Sequence, residues 1–264
     1  DDTILTAVAV PTDYTISYDY NEGRLPTGVT NPEVFTVEDE NITLNEPERQ
    51  GYTFRGWTIN GGTTIIPTSA IEEAIEQGNT LENITIKAEW NANTNTKYIT
   101  RKYVMDLNGN YGNPEETEEH GTTDTEAVWD ITAPEGFTID DEYPVKLRGN
   151  IAPDGSLVLE VHLKRNKYSL ELMAETGLTL DGCSSGAYYY GKEINLNVVE
   201  APGYSFSKWE SSHTSKVANS ETKAYTITMP AMENNEILRL TAKASTIEYT
   251  INYDLDGGAL PAGA

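Results

Sequence analysis

Four groups of residues have types and spacings that could do chemistry. Asp106-x-Asn108-x-Asn110 has the alternate-residue spacing with which oxygen ligands wrap a calcium ion. The continuation departs from that pattern, since Tyr111 stands where the loop needs glycine and Thr117 where a closing glutamate belongs. A hairpin turn is the competing reading, because the corresponding places elsewhere in the chain are Asn21-Glu22-Gly23 and Asp256-Gly257-Gly258. The turn accounts for all three, so no resident metal is expected. His120, His162 and His213 lie far apart with no metal-ligand spacing around them. His162 falls at an outward-facing position of an alternating strand. Cys183, the single cysteine, sits in Gly182-Cys183-Ser184-Ser185-Gly186 without a basic neighbour, which reads as a free thiol and not a nucleophile. Tyr188-Tyr189-Tyr190 is the strongest candidate ligand surface, since aromatic faces stack on sugars and the phenols add hydrogen bonds. In a strand Tyr188 and Tyr190 share one face and Tyr189 takes the other. The competing reading places one or two of them in the core. No phosphate-binding glycine loop and no Gly-x-Ser-x-Gly motif is present. Neither a catalytic site nor a cofactor is therefore expected.

Composition narrows the class further. The 264 residues carry 42 acidic and 18 basic side chains, a net charge of −24. That balance repels a phosphate backbone, which argues against nucleic acid as a partner, and argues equally against an anionic lipid surface. No run approaches the length of apolar chain that crosses a bilayer, so direct membrane insertion is not expected of these residues. With one cysteine, no internal disulfide can staple the fold. The 16 tyrosines, with abundant Thr, Ile and Val punctuated by 21 glycines and 12 prolines, point to short strands and tight turns.

The elements that position these residues come in repeats. Gly51-Tyr52-Thr53-Phe54-Arg55-Gly56-Trp57 returns as Gly203-Tyr204-Ser205-Phe206-Ser207-Lys208-Trp209, and more weakly as Gly136-Phe137-Thr138-Ile139. Each reads as a turn feeding a strand with one buried face, and Trp57 and Trp209 read as core anchors. Tyr14–Gly28 matches Tyr249–Gly263 at nine of fifteen positions. Thr3–Val8 resembles Ile84–Trp90 and Ile237–Lys243, both of which close a module. The expected organisation is the last strand of a repeat over 1–9, module one over 10–95, module two over 96–166, module three over 167–246, and the start of a further copy over 247–264. The chain thus reads as a piece of a longer array. In module one, strands are expected at Tyr14–Asp19, Val34–Val37, Asn41–Leu44, Gly51–Trp57 and Ile84–Trp90. A helix of about two turns is expected there, capped by Ser69 with Glu72 and stopped at Gly78. In module two, Lys97–Leu107 reads as a strand, Pro114–Glu119 as an exposed acidic loop, and Glu126–Thr132 as a strand or short helix. Val145–Ile151 and Leu157–Leu163 read as a hairpin about Asp154-Gly155. In module three, strands are expected at Tyr168–Leu172, Tyr188–Lys192, Ile194–Val199, Gly203–Trp209, Tyr225–Pro230 and Ile237–Ala242.

Three separated motifs in module one, the alternating strand Tyr14–Asp19, Gly51–Trp57 and the closing Ile84–Trp90, resemble the internalin B-repeat, also called the Listeria–Bacteroides repeat. Module three is similar to the divergent relative of that repeat through Tyr190-Gly191-Lys192, Pro202–Trp209 and Thr226–Pro230. Module two resembles mucin-binding-protein (MucBP) repeats through Tyr103, Asp106-x-Asn108-Gly109, Ala133-Pro134-x-Gly136-Phe137 and Gly149-x-Ile151-x-x-Asp154-Gly155. These resemblances imply a mainly β (α+β) architecture of tandem small β-grasp-like (ubiquitin-like) modules, each with at most one short helix, arranged as an elongated array. They also imply an extracellular setting on a Gram-positive bacterial cell surface or cell wall, with signal and anchor outside these residues. The expected role is non-enzymatic: a spacer or stalk that presents other domains. The alternative is an adhesin module. The expected partners are neighbouring repeats of the same chain and a host glycoprotein, mucin or other host glycan.

Overall fold

A computed structural model describes residues 8–36, 38–39, 42–77, 83–233, 235–261 and 263. The chain divides into two compact units, residues 1–101 with 115–131 and 145–160, and residues 102–114 with 132–144 and 161–264. Module one lies in the first unit and module three in the second, while module two contributes to both.

Module one is a four-stranded sheet in the order β2-β1-β4-β3. Its strands are β1 (Tyr14–Asp19), β2 (Val34–Phe35), β3 (Tyr52–Ile59) and β4 (Ile84–Ala92). The first and last strands pair in parallel, with Ile16 beside Ile84 and Tyr18 beside Ile86. Parallel neighbours require a crossover, and the crossover carries a 3₁₀ turn at Thr68–Ala70 and helix α1 (Ile71–Gln77). So short a helix is not stable alone; Ile71 and Ile75 bury themselves in the core that contains Trp57, Ile84 and Ile86. Ser69 lies inside the 3₁₀ turn and not at its cap, which is Pro67. The side chain of Glu72 and the stop at Gly78 fall outside the described residues. Ile42 and Leu44 are buried without forming a strand.

Module two contains β5 (Thr96–Val104), β6 (Glu115–Gly121), β7 (Glu126–Val128), β8 (Phe137–Ile139), β9 (Arg148–Asn150) and β10 (Val158–Arg165). Within the first unit β7 pairs with β9, and Ala127, Ile151, Leu157 and Leu159 form a small core with Tyr98 and Trp129 against it. Within the second unit β8 pairs with β10. The acidic segment expected as a loop is the edge strand β6, held partly by the ion pair of Arg101 with Glu116 at 2.6 Å. Carboxylates on an unpaired edge discourage pairing with another chain. The expected hairpin about Asp154-Gly155 keeps its turn, but Arg148–Asn150 pairs with β7, leaving only the Lys146–Glu160 bridge to β10.

Module three repeats the scheme with β11 (Lys167–Ala174), β12 (Leu178–Leu180), β13 (Gly186–Tyr189), β14 (Glu193–Leu196), β15 (Val198–Glu200), β16 (Tyr204–Ser211), β17 (Tyr225–Thr228) and β18 (Ile237–Thr246). Its main sheet runs β13-β11-β18-β16, again with first and last strands parallel. Two short ribbons, β12-β15 and β14-β17, complete it.

The two tryptophans hold equivalent places. Trp57 and Trp209 are both fully buried. Each backbone exchanges two hydrogen bonds with an irregular segment, at Ile66 in module one and Ser220 in module three. The ring nitrogens are satisfied by the Thr68 hydroxyl at 3.2 Å and the Lys223 carbonyl at 3.0 Å. Both strands are bulged just before the tryptophan, between Phe54 and Gly56 and between Phe206 and Lys208. In module one the bulge needs glycine: Gly56 has φ 141°, and a Cβ there would lie 2.7 Å from the Ile66 carbonyl oxygen. Lys208 occupies the same place in module three without positive φ.

The expected copy over 247–264 differs. Tyr249 and Ile251 are 73% and 72% exposed, although the matching Tyr14 and Ile16 sit against the module-one core. The reason is partnership: β1 is sandwiched between β2 and β4, and the later segment joins no sheet among the described residues. The strand expected over 3–8 lies, apart from Val8, outside the described residues.

Replacing Trp209 by alanine should cost about 3–5 kcal/mol, read by urea unfolding, because it empties the centre of a small core. Gly56→Ala should destabilise module one by more than about 1 kcal/mol, whereas Lys208→Ala should change module three by less than about 0.5 kcal/mol.

Candidate functional site

The calcium-like loop is organised by its own backbone. The Asp106 carboxylate oxygen Oδ1 accepts the amides of Asn108 and Asn110, each at 2.8 Å. Asn110 and Asn108 amides, in that order, hold the Asp106 carboxyl below its usual pKa. The oxygen that a cation would need is thereby engaged in the Asx turn that shapes the hairpin. No group of three or more His, Cys, Asp or Glu with metal-binding geometry occurs among the described residues.

The three histidines remain separate. Nε2 of His120 lies 3.5 Å from Glu118, and Nε2 of His213 lies 3.4 Å from Glu236. His162 is not outward-facing as its strand register suggested: it is buried, with Nδ1 unpartnered. Its ring is stacked on Tyr103 at 4.1 Å and on Tyr143 at 4.6 Å, with Tyr111 edge-on at 5.0 Å. These tyrosines come from β5 and from two loops, so a rule of strand alternation alone could not place them over the outer face of β10. The phenol of Tyr111 donates to the buried Asp140 carboxylate at 2.8 Å. Burial first, and that hydrogen bond second, raise the Tyr111 pKa well above its ordinary value. The cluster packs against β10, and the Lys164 ammonium lies 3.7 Å from the same Asp140 carboxylate. The sequence signal that could have found it is the set of aromatic residues at Tyr103, Tyr111 and Tyr143 in one small module. Cys183 is half-buried, with its sulfur 3.6 Å from the Asn197 carbonyl.

The tyrosine triplet splits among three environments. Tyr188 packs against the module-three core and donates its hydroxyl to the Ser184 carbonyl at 2.7 Å. Tyr189 carries the Lys167 ammonium over its ring at 4.5 Å, and its hydroxyl touches Gly109 of module two. Tyr190 lies past the end of β13, in a turn, with its ring against Gly136 and edge-on to Phe137 at 6.1 Å. Two of the three thus face module two. Beside Tyr190 a shallow groove of about 430 Å³ is lined by Glu135, Lys216, Met229 and Pro230. Glu135 and Lys216 pair across it at 3.6 Å. The groove offers one aromatic surface, one ion pair and the side chains of Ser215 and Thr228.

Sequence comparison agrees with this architecture. Residues 14–88 match the Listeria-Bacteroides repeat domain, and residues 168–245 match the divergent InlB B-repeat domain. The chain therefore carries repeats of these two families, in the two modules whose sheets close in the same way. Neither match extends to residues 96–166, so the mucin-binding-protein resemblance of module two gains no support from them. No curated protein matches the chain.

Because the folded pKa of Asp106 is depressed, its hydrogen bonds persist above the ordinary carboxylate value and are lost as pH falls through the folded one. The amide shifts of Asn108 and Asn110 should therefore titrate together, below the usual value of 3.8, in an NMR titration. They should be unmoved by millimolar calcium at neutral pH.

Proposed function

We propose that this chain is a non-enzymatic repeat region of a bacterial cell-surface protein, serving as a spacer that presents other domains. One observation carries the reading. Most of the residues singled out by type are engaged in structure: Trp57, Trp209 and His162 in cores, the Asp106 carboxylate in a turn, and Tyr189 and Tyr190 in packing against the preceding module. The families to which modules one and three belong are typically non-catalytic, and the absence of a disulfide framework suits a wall-anchored β array. The strong negative charge keeps such a surface solvated and self-repelling.

A second reading is favoured by the groove beside Tyr190: an adhesin module that binds mucin or another host glycan through Tyr188, Tyr189 or Tyr190. A glycan array probed with the whole chain separates the two. The spacer reading expects no reproducible binding. Binding above background that disappears in Tyr188→Ala or Tyr189→Ala would replace it with the adhesin reading.

A further inference from the structure

The strand-opening glycines of the three modules share one geometry. Gly51, Gly136 and Gly203 each occupy the third position of a turn, with φ of 77°, 80° and 85°. The residue after each donates across that turn: Tyr52 to Arg49, Phe137 to Pro134, and Tyr204 to Ala201. Positive φ there is the mark of a type II turn and is why glycine recurs. Each glycine carbonyl then accepts the amide of the residue that leaves the same module's closing strand. The donors are Asn93, Asn166 and Ile247, at 3.0, 2.9 and 2.8 Å.

In the first two cases the next module docks on this pair. The Asn93 carbonyl accepts the Thr123 amide at 2.9 Å, and the Asn166 carbonyl accepts the Tyr190 amide at 2.9 Å. Thr123 and Tyr190 are equivalent residues of equivalent turns. Thr125 donates to Thr122 as Lys192 donates to Tyr189, and Asp124 donates to Ile151 as Gly191 donates to Met229. The open face of the glycine is covered by the incoming module in both cases. Pro153 sits on Gly51, and the Tyr190 ring sits on Gly136. Side chains add to each joint. The Thr123 hydroxyl donates to the Gly51 carbonyl at 2.8 Å and meets the Thr96 hydroxyl at 2.7 Å in a buried pair. Arg165 donates to the Met105 carbonyl at 3.0 Å and the Tyr190 carbonyl at 2.9 Å, and lies over the Phe137 ring.

The third pair has the same backbone and no occupant. Among the described residues no atom lies within 4 Å of a Cβ placed on Gly203, and no backbone amide donates to the Ile247 carbonyl. We infer that the glycine turn and the strand-exit residue form a repeating socket, and that the copy at Gly203 and Ile247 is the docking site for a further module of the same repeat class. Two occupied sockets of identical backbone pattern define what fits the third: a module that presents the amide of the second residue of its post-strand turn. The segment Tyr249–Asp254, unpaired and with exposed apolar residues, matches β1 in sequence and would supply the opening strand of such a module. This inference rests on the repeat-array reading.

Two measurements test it. In the chain as it stands, the Thr123 and Tyr190 amides should exchange with solvent as slowly as sheet amides of their modules. Tyr190→Ala should speed exchange at residue 190 about tenfold while leaving Thr123 and the β11 amides unchanged. Rapid exchange at both amides in the unmodified chain would show that the sockets do not hold. For the third socket, residues 29–95 are grafted after Gly263 to complete the last module. The Gly203 amide resonance should then shift, and the added module should show the same rotational correlation time in ¹⁵N relaxation as module three. Ile247→Pro, which removes the amide that fixes the Gly203 carbonyl, should release it. An added module that tumbles independently in the unsubstituted graft overturns the assignment. So does concentration-dependent self-association that protects Gly203 without the graft. Glycan binding would move neither readout, so the spacer reading and the socket can fail separately.

Discussion

The antiparallel register between the glycine-led strand and the closing strand is the constraint on which the rest depends. In module one it sets Tyr52 opposite Ala92, in module two Phe137 opposite Arg165, and in module three Tyr204 opposite Thr246. Each places the start of one strand beside the end of the other. The residue before the first and the residue after the second must then meet, and they meet as glycine and strand exit. The same register carries the tryptophan of modules one and three inward, where a disulfide-free sheet of four strands has need of a large side chain. Core filling and chain exit thus follow from one pairing.

Much of this was legible in the residues, and what was missed shares a physical cause. The Gly-Tyr-x-Phe stretches announced turn and strand because glycine at positive φ and alternating aromatics are local signals. The buried roles of Trp57 and Trp209 followed from their repetition in a small module. Leu157, Leu159, Val161 and Leu163 also bury as their alternation implies. By contrast, Glu115–Gly121 has poor strand propensity and takes its conformation from β5 beside it, a non-local cause that composition hides. Strand alternation sets His162 on the face opposite Leu159, Val161 and Leu163. Its cover comes from Tyr103, Tyr111 and Tyr143, far away in sequence. The calcium-like spacing of Asp106, Asn108 and Asn110 is also the spacing at which one carboxylate can accept two amides of a turn, and only geometry separates those uses.

The candidate site was partly legible in the same sense. Tyr188-Tyr189-Tyr190 stood out as a cluster of large amphipathic side chains, and such clusters serve contact surfaces of any kind. What the sequence could not show was that two of the rings turn toward Gly109 and Gly136 of their own chain. Small residues on one module and large ones on the next make a complementary pair only once the turns are folded.

The parallel pairing of first and last strands has a mechanical meaning. In module one the chain enters at the Tyr14 end of β1 and leaves at the Ala92 end of β4, and in module three it enters at Lys167 and leaves at Thr246. A pull on the polypeptide from both sides therefore drags two parallel neighbours past one another along their length. The hydrogen bonds between them are strained in shear, all at once, where a hairpin pulled from its open end would surrender them singly. A module wired in this way resists extension by the cooperative strength of its central strand pair.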